Sequence, residues 1–333
     1  MKTKKPIVFA VVFALCFAGM FTACDPNNSP SAGNFDRAAM LRNYADNLIK
    51  PAFADLQTGV NALQAAANTF SGAPTAQNLT TLQTAWETAF TAFQGANAYN
   101  FGPGGLQGTR QTLAVEMGTF PASVEKIEAN IADNKTGMNN FDHDARGFLA
   151  LDYLLFDLQG DNAAVLNRLQ ASASRRAYML AVANELKART DEAATAWNTT
   201  YANEFVAADG TGPASSTAQF YNSFVASYES IKNFKLGLPL GKRPGQTQPE
   251  PARVEAYYSS KSLPMIKAHL TAIENIWRGR SKDGRDGTGL REYLESVVGG
   301  PELVAETETQ LTAIRKAQDA VPTNRPLSQL VQA

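Results

Sequence analysis

The chain is poor in the residues that most often carry chemistry. Among its 333 residues are only two cysteines, Cys16 and Cys24, and two histidines, His143 and His269. Both cysteines fall within the first 24 residues, so the rest has no disulfide, no thiolate metal site and no cysteine nucleophile. The histidines are far apart, neither stands at helical spacing from another, and there is no HExxH. Surface or helix-end positions are the ordinary expectation for such residues, with metal ligation as the alternative. A basic excess is missing too, with 30 Lys and Arg against 31 Asp and Glu, which excludes nucleic acid as an expected partner. The glycine-rich SKDGRDGTG at 281–289 has neither the Lys-Ser/Thr of a phosphate loop nor the acidic spacing of a calcium loop. Alternating β-branched runs are nearly absent, so strands are not expected.

What is present begins at the N-terminus. Lys2, Lys4 and Lys5 precede an uncharged apolar run from Pro6 to Phe21, which leads into Thr22, Ala23 and Cys24. This is the layout of a cleavable signal, and FTAC resembles a lipobox, whose cysteine receives diacylglycerol. The expectation is a signal peptide over 1–23, lipid on Cys24 and a flexible polar tether over 24–34, DPNNSPSAGN following the cysteine. Two acyl chains anchor stably, at about 0.8 kcal/mol for each buried methylene. The alternative is an uncleaved membrane helix, for which a run of about 16 residues is short of the about 20 needed to span. The lipidated reading places the protein in the cell envelope, attached to a membrane through Cys24, on the periplasmic face or the cell surface. Loss of Lys2, Lys4 and Lys5 leaves 27 basic against 31 acidic residues, a mature charge of about −4.

Beyond the tether the apolar spacing is helical. Leu41, Tyr44, Leu48, Ala52, Leu56, Val60 and Leu63 recur every three or four positions, with a kink or break expected near Lys50 because Pro51 interrupts the pattern. Further helices are predicted over 76–98, 109–131, 145–156, 174–206, 217–235, 263–279, 290–298 and 302–319, separated by loops rich in glycine and proline. Helices with apolar stripes must bury them against one another, so the fold class is all-α, two helical-bundle domains. The division is placed within 161–173, giving an N-terminal bundle over 35–165 and a C-terminal bundle over 166–333. Trp86, Trp197 and Trp277 are expected core anchors.

Within FDHDARGFLALDYLLFD, the segment GFLALDYLLF at 147–156 resembles the signature of the imelysin-like family, a GxHxxE pattern within GxHAxEyLLF. AWETAFTAFQGANAYNFGP at 85–103, VEAYYSSKS at 254–262 and GTGLREYL at 287–294 are similar to other parts of the family. The resemblance implies an exported protein of two helical domains with a site between them, in a family named for metallopeptidase activity and linked to periplasmic iron uptake; iron or zinc is the implied metal. In the family motif the His and the acid share one helix face and reach a common ion. Here Gly147 matches the motif glycine, Leu149 stands at the His position and Asp152 at the acid position. Leucine has no lone pair to offer, so a metal site on this pair is not expected. The family's Arg and Glu, four and eleven residues after the helix tryptophan, correspond here to Phe90 and Asn97.

Asp152, in an apolar stretch, needs a partner or a shifted pKa, and it is the first candidate for a ligand-binding residue. A structural pairing with an arginine of a neighbouring helix is the alternative. Arg146 precedes the signature, and its simplest role is a helix-start pair with Asp142, four residues back. Nine residues separate His143 from Asp152, which on one continuous helix sets them on opposite faces. Glu255, Tyr258, Ser259 and Ser262 form a second candidate cluster, although Ser262 fits equally a cap on a helix starting at Leu263. The reading these features favour is a lipid-anchored, non-catalytic protein that holds an unidentified ligand or envelope protein between its bundles. The alternatives are a metallopeptidase using Asp152, Glu255 and one histidine, and an iron-uptake accessory with oxygen ligands.

Overall fold

A computed structural model describes the protein over residues 35–107 and 110–332; the expected signal peptide, lipidated Cys24 and tether lie outside the described residues. Among the described residues there are helices and no strand, only an isolated bridge between Gln107 and Arg110. None of these helices is long and apolar enough to cross a membrane.

α1 (Arg37–Asn43) starts where the Asp36 carboxylate accepts the Ala39 N–H, and passes through a π-helical turn, Tyr44–Ile49, into α2 (Lys50–Gly72). The expected break at Pro51 takes this form. The widened turn closes with the Lys50 N–H donating to the Ala45 carbonyl, and the proline follows in the first turn of α2, where its missing N–H costs least. α3 (Ala76–Ala96) is capped by Thr75. The single helix expected over 109–131 is instead two, α4 (Leu113–Gly118) and α5 (Val124–Ala132), because Pro121 cannot continue a helix and Ser123 restarts one by accepting the Lys126 N–H.

A 3₁₀ turn, His143–Ala145, precedes α6 (Gly147–Leu155). The stretch 161–173, read as a boundary, contains a helix of its own, α7 (Asn162–Ala171), begun by the Asp161 cap. α8 (Ala173–Ala196) continues through a π-helical turn, Trp197–Tyr201, into α9 (Ala202–Ala207). α10 (Ser216–Ser230) likewise runs into a π-helical turn, Ile231–Gly237. α11 (Ser262–Trp277), α12 (Leu290–Glu295), α13 (Gly300–Asp319) and α14 (Leu327–Leu330) complete the chain.

Four long helices form the frame, with α2 between α8 and α3, and α11 against α3. The buried row of α2, Phe53, Leu56, Val60, Leu63, Ala67 and Phe70, meets Leu79, Leu82, Trp86, Phe90 and Phe93 of α3 in one apolar core. Trp86, Trp197 and Trp277 are all buried, as expected of core anchors. α8 lies beyond the expected 165/166 division yet runs along α2, with Gln57 donating to Asp191 (2.7 Å) and Gln64 to Asn184 (3.0 Å). The first helical stretch is also tied to the end of the chain. The Tyr44 hydroxyl donates to the Ile276 carbonyl (2.6 Å) and accepts the Leu290 N–H (2.7 Å).

Candidate functional site

The signature segment enters α6 through a reversal. Arg146 is extended (φ −136°, ψ −170°) and Gly147 takes φ +75°, with the Met117 backbone so close that an added Cβ would lie 2.4 Å from its carbonyl oxygen. Only glycine combines that backbone angle with that approach, which is the physical demand behind the first letter of the motif. The turn buries Arg146, whose guanidinium pairs with the equally buried Glu116 (2.7 Å), donates to the Met138 and Asn140 carbonyls, and donates to His143 Nδ1 (2.7 Å). The expected Asp142–Arg146 pair does not form, since the helix starts only at Gly147; Asp142 instead meets Lys126 at 3.1 Å. His143 likewise sits in the 3₁₀ turn, not on α6, and belongs with Arg146 and Glu116.

Leu149 is buried and faces the core, and Asp152 is 1 % exposed. The partner of Asp152 is a backbone turn, not the expected arginine: its Oδ2 accepts the Tyr258 N–H (2.9 Å) and its Oδ1 the Ser259 N–H (3.0 Å). Burial pushes this carboxyl up to about 6, Glu255 adds to the rise, and hydrogen bonds from Ser259 and Tyr258 restrain it. The turn it holds is strained, with Ala256 at φ +53° and Ser260 at φ +61°.

Glu255, at the start of that turn, is 2 % exposed and pairs at 2.9 Å with Lys235, which is also 2 % exposed. Lys235 donates to Gln94 Oε1 (2.5 Å). Burial lowers its pKa while Glu255 opposes the fall. His269 is completely buried in the middle of α11, contrary to the surface or helix-end position expected of it. Its Nε2 lies 2.7 Å from Ser227 Oγ and its Nδ1 has no hydrogen-bond partner. Burial first, and the Lys235 charge second, hold it well below the usual histidine range, so the ring is neutral at pH 7. When Nε2–H donates to Ser227, Nδ1 carries the free lone pair. Ser262 does not cap α11, which begins at Ser262 itself; its hydroxyl donates to the Glu255 carbonyl.

Asp152, Glu255, Ser259 and Ser262 are thus brought together, while Arg146 and His143 form a separate buried knot. Lys235, Gln94, His269 and Ser227 complete the first cluster and were not legible as a group. A trace exists in spacing: Ser223, Ser227, Ile231 and Lys235 recur every four residues and all are buried, as do Trp86, Phe90 and Gln94. Beside the cluster a cavity of about 470 Å³ opens between the two halves of the sequence, lined by Asn97, Asn100, Phe101, Ser223, Ser227 and Ser230 among others, with no charged side chain.

A resident iron or zinc does not fit these residues. Among the described residues no three His, Cys, Asp or Glu side chains stand together as a ligand set. Both Asp152 oxygens are taken by N–H groups, Glu255 is neutralised by Lys235, and Leu149 offers nothing. The combination of Asp152, Glu255 and a histidine is interrupted by the lysine.

Fold and site define an all-helical bundle protein in which a signature helix delivers one buried acid to a turn of the second half. The chain belongs to the imelysin family, a peptidase family by name, whose model matches residues 49–333. It is 24 % identical over 319 residues to iron-regulated protein A of Synechococcus elongatus, covering 92 % of this chain and 80 % of the relative. Its fold is similar to the crystal structure of an iron-regulated protein A precursor from Parabacteroides distasonis, with a TM-score of 0.71, 18 % identity and coverage of 89 % and 88 % of the two chains. An imelysin-like protein from Psychrobacter arcticum gives a TM-score of 0.63 at 19 % identity, covering 88 % and 86 %.

Proposed function

We propose that this imelysin-family chain is an exported, lipid-anchored binding protein of the cell envelope that does not hydrolyse peptides. The observation that carries the reading is the engagement of Asp152: both its oxygens hold the Tyr258–Ser259 turn, so the acid of the signature segment serves structure where a peptidase would need it free for a metal or a water. The uncharged cavity between the halves, lined by amides and hydroxyls, suits a neutral polar ligand or a polar loop of a partner. Iron enters through the Synechococcus relative, whose name records iron regulation; for this chain we take iron supply as the process served, with no iron held as a resident cofactor.

The test uses the full chain purified in detergent, assayed on mixed peptides with and without chelator, and searched by mass spectrometry for a small molecule that Ser227→Phe, which fills the cavity, no longer carries. The expected result is no hydrolysis and a ligand lost in the variant. Hydrolysis that chelators abolish and Asp152→Ala removes overturns the reading.

A further inference from the structure

Among the described residues Lys235 is the cation paired with Glu255 in the Asp152–Glu255 cluster, and its surroundings have the composition of an ion site. Gln94 presents Oε1 from α3 and Glu255 presents Oε2 from the strained turn, both directly on Nζ at 2.5 and 2.9 Å. His269, from α11, has a fully buried Nδ1 that no hydrogen bond occupies, and the Lys235 charge is felt at its ring. Amide oxygen, carboxylate oxygen and imidazole nitrogen arriving from separate elements is a donor mixture suited to zinc and similar divalent ions. The lysine reaches it from the π-helical turn Ile231–Gly237, the widened stretch that ends α10.

We infer that Gln94, Glu255 and His269 form a cation site whose cation is the chain's own Lys235 ammonium. Charge is the first reason. Glu255 and Asp152 are buried within reach of each other, and two uncompensated carboxylates in such a place are costly; Lys235 supplies the missing positive charge. Donor direction is the second, because the ammonium donates to Gln94 Oε1 and lies 2.9 Å from Glu255 Oε2, the contacts a metal would make with the same two oxygens, while the unpartnered His269 Nδ1 lies within the field of the lysine charge. The consequence is functional. A tethered ammonium cannot be stripped by chelators, and it neutralises charge without offering a Lewis-acid position for a substrate oxygen.

The inference rests on the non-hydrolytic reading only in that both deny a resident metal. The experiment compares the full chain with Lys235→Ala, which vacates the space, and Lys235→Met, which fills it without charge. Zn²⁺ binding is followed by calorimetry and by the shift in melting temperature. The expected result is no stoichiometric Zn²⁺ in the unaltered chain or in Lys235→Met, and one Zn²⁺ in Lys235→Ala, with a dissociation constant in the micromolar range and a raised melting temperature. If Lys235→Ala unfolds alone, Zn²⁺ is expected to restore its helical signal and cooperative melting. A variant that gains neither binding nor stability from Zn²⁺ overturns this inference and leaves the non-hydrolytic reading standing. Tight Zn²⁺ in the unaltered chain overturns both.

Discussion

Both oxygens of Asp152 accept from backbone N–H groups of a turn that carries two residues in the left-handed region, so removing the carboxylate strands two buried donors and frees a strained segment. A stranded donor costs about 1–3 kcal/mol. Asp152→Ala is therefore expected to lower the melting temperature and to speed amide exchange at Tyr258 and Ser259 more than in the frame helices; uniform exchange would show that the turn stands without its anchor. The same side chain sets a pH dependence. Its folded pKa, about 6, lies above the ordinary aspartate value of 3.8, so the native state binds the proton more tightly. The stabilisation is full below the unfolded pKa and is lost as the pH rises through about 6, by up to about 3 kcal/mol for a shift of this size. Raising the pH from 4 to 7 should destabilise the unaltered chain more than Asp152→Asn, which cannot titrate there. Parallel stability curves for the two would remove Asp152 from the account.

At the scale of elements, Gly147 is where sequence pattern and backbone geometry meet. A side chain there suffers the left-handed penalty of about 1–2 kcal/mol and a collision with the Met117 carbonyl. Gly147→Ala should thus lose more than about 2 kcal/mol in denaturant titration, with α4 and α6 moving apart; a loss below about half that would mean the reversal relaxes freely. Helix periods made most of the other elements legible, including the response to Pro51. The misreadings have local causes. Pro121 divides a stretch that apolar spacing alone joins, and Asp161, at the edge of the expected domain division, caps α7. Arg146 was paired along an assumed helix with Asp142, whereas its extended backbone turns it inward to Glu116. Asp152 and Glu255 were legible as polar residues in apolar company, but Lys235 and His269 joined them only through contacts between residues far apart in sequence, which periodicity does not encode.

At the scale of the whole molecule the question is whether the halves are separable. Residues 35–165 contain α2, whose neighbours are α3 within that fragment and α8 outside it. Gln57 and Gln64 also lose Asp191 and Asn184 when α8 is absent, and Tyr44 loses both its partners at Ile276 and Leu290. A fragment so deprived exposes apolar surface along one flank of its longest helix, and the complementary fragment 166–333 carries α8 without the helix it lies on. Each is expected to keep helical far-ultraviolet dichroism while losing the near-ultraviolet signal of fixed aromatic packing and gaining dye binding, the marks of a compact state without native packing. Because every lost contact is supplied by the other piece, mixing the two should restore the near-ultraviolet signal and a single cooperative transition. A 35–165 fragment that melts cooperatively alone, with native aromatic dichroism, would show instead that α8 is an accessory to a self-sufficient first bundle, and that Asp152 reaches across a true domain boundary when it holds the Tyr258–Ser259 turn.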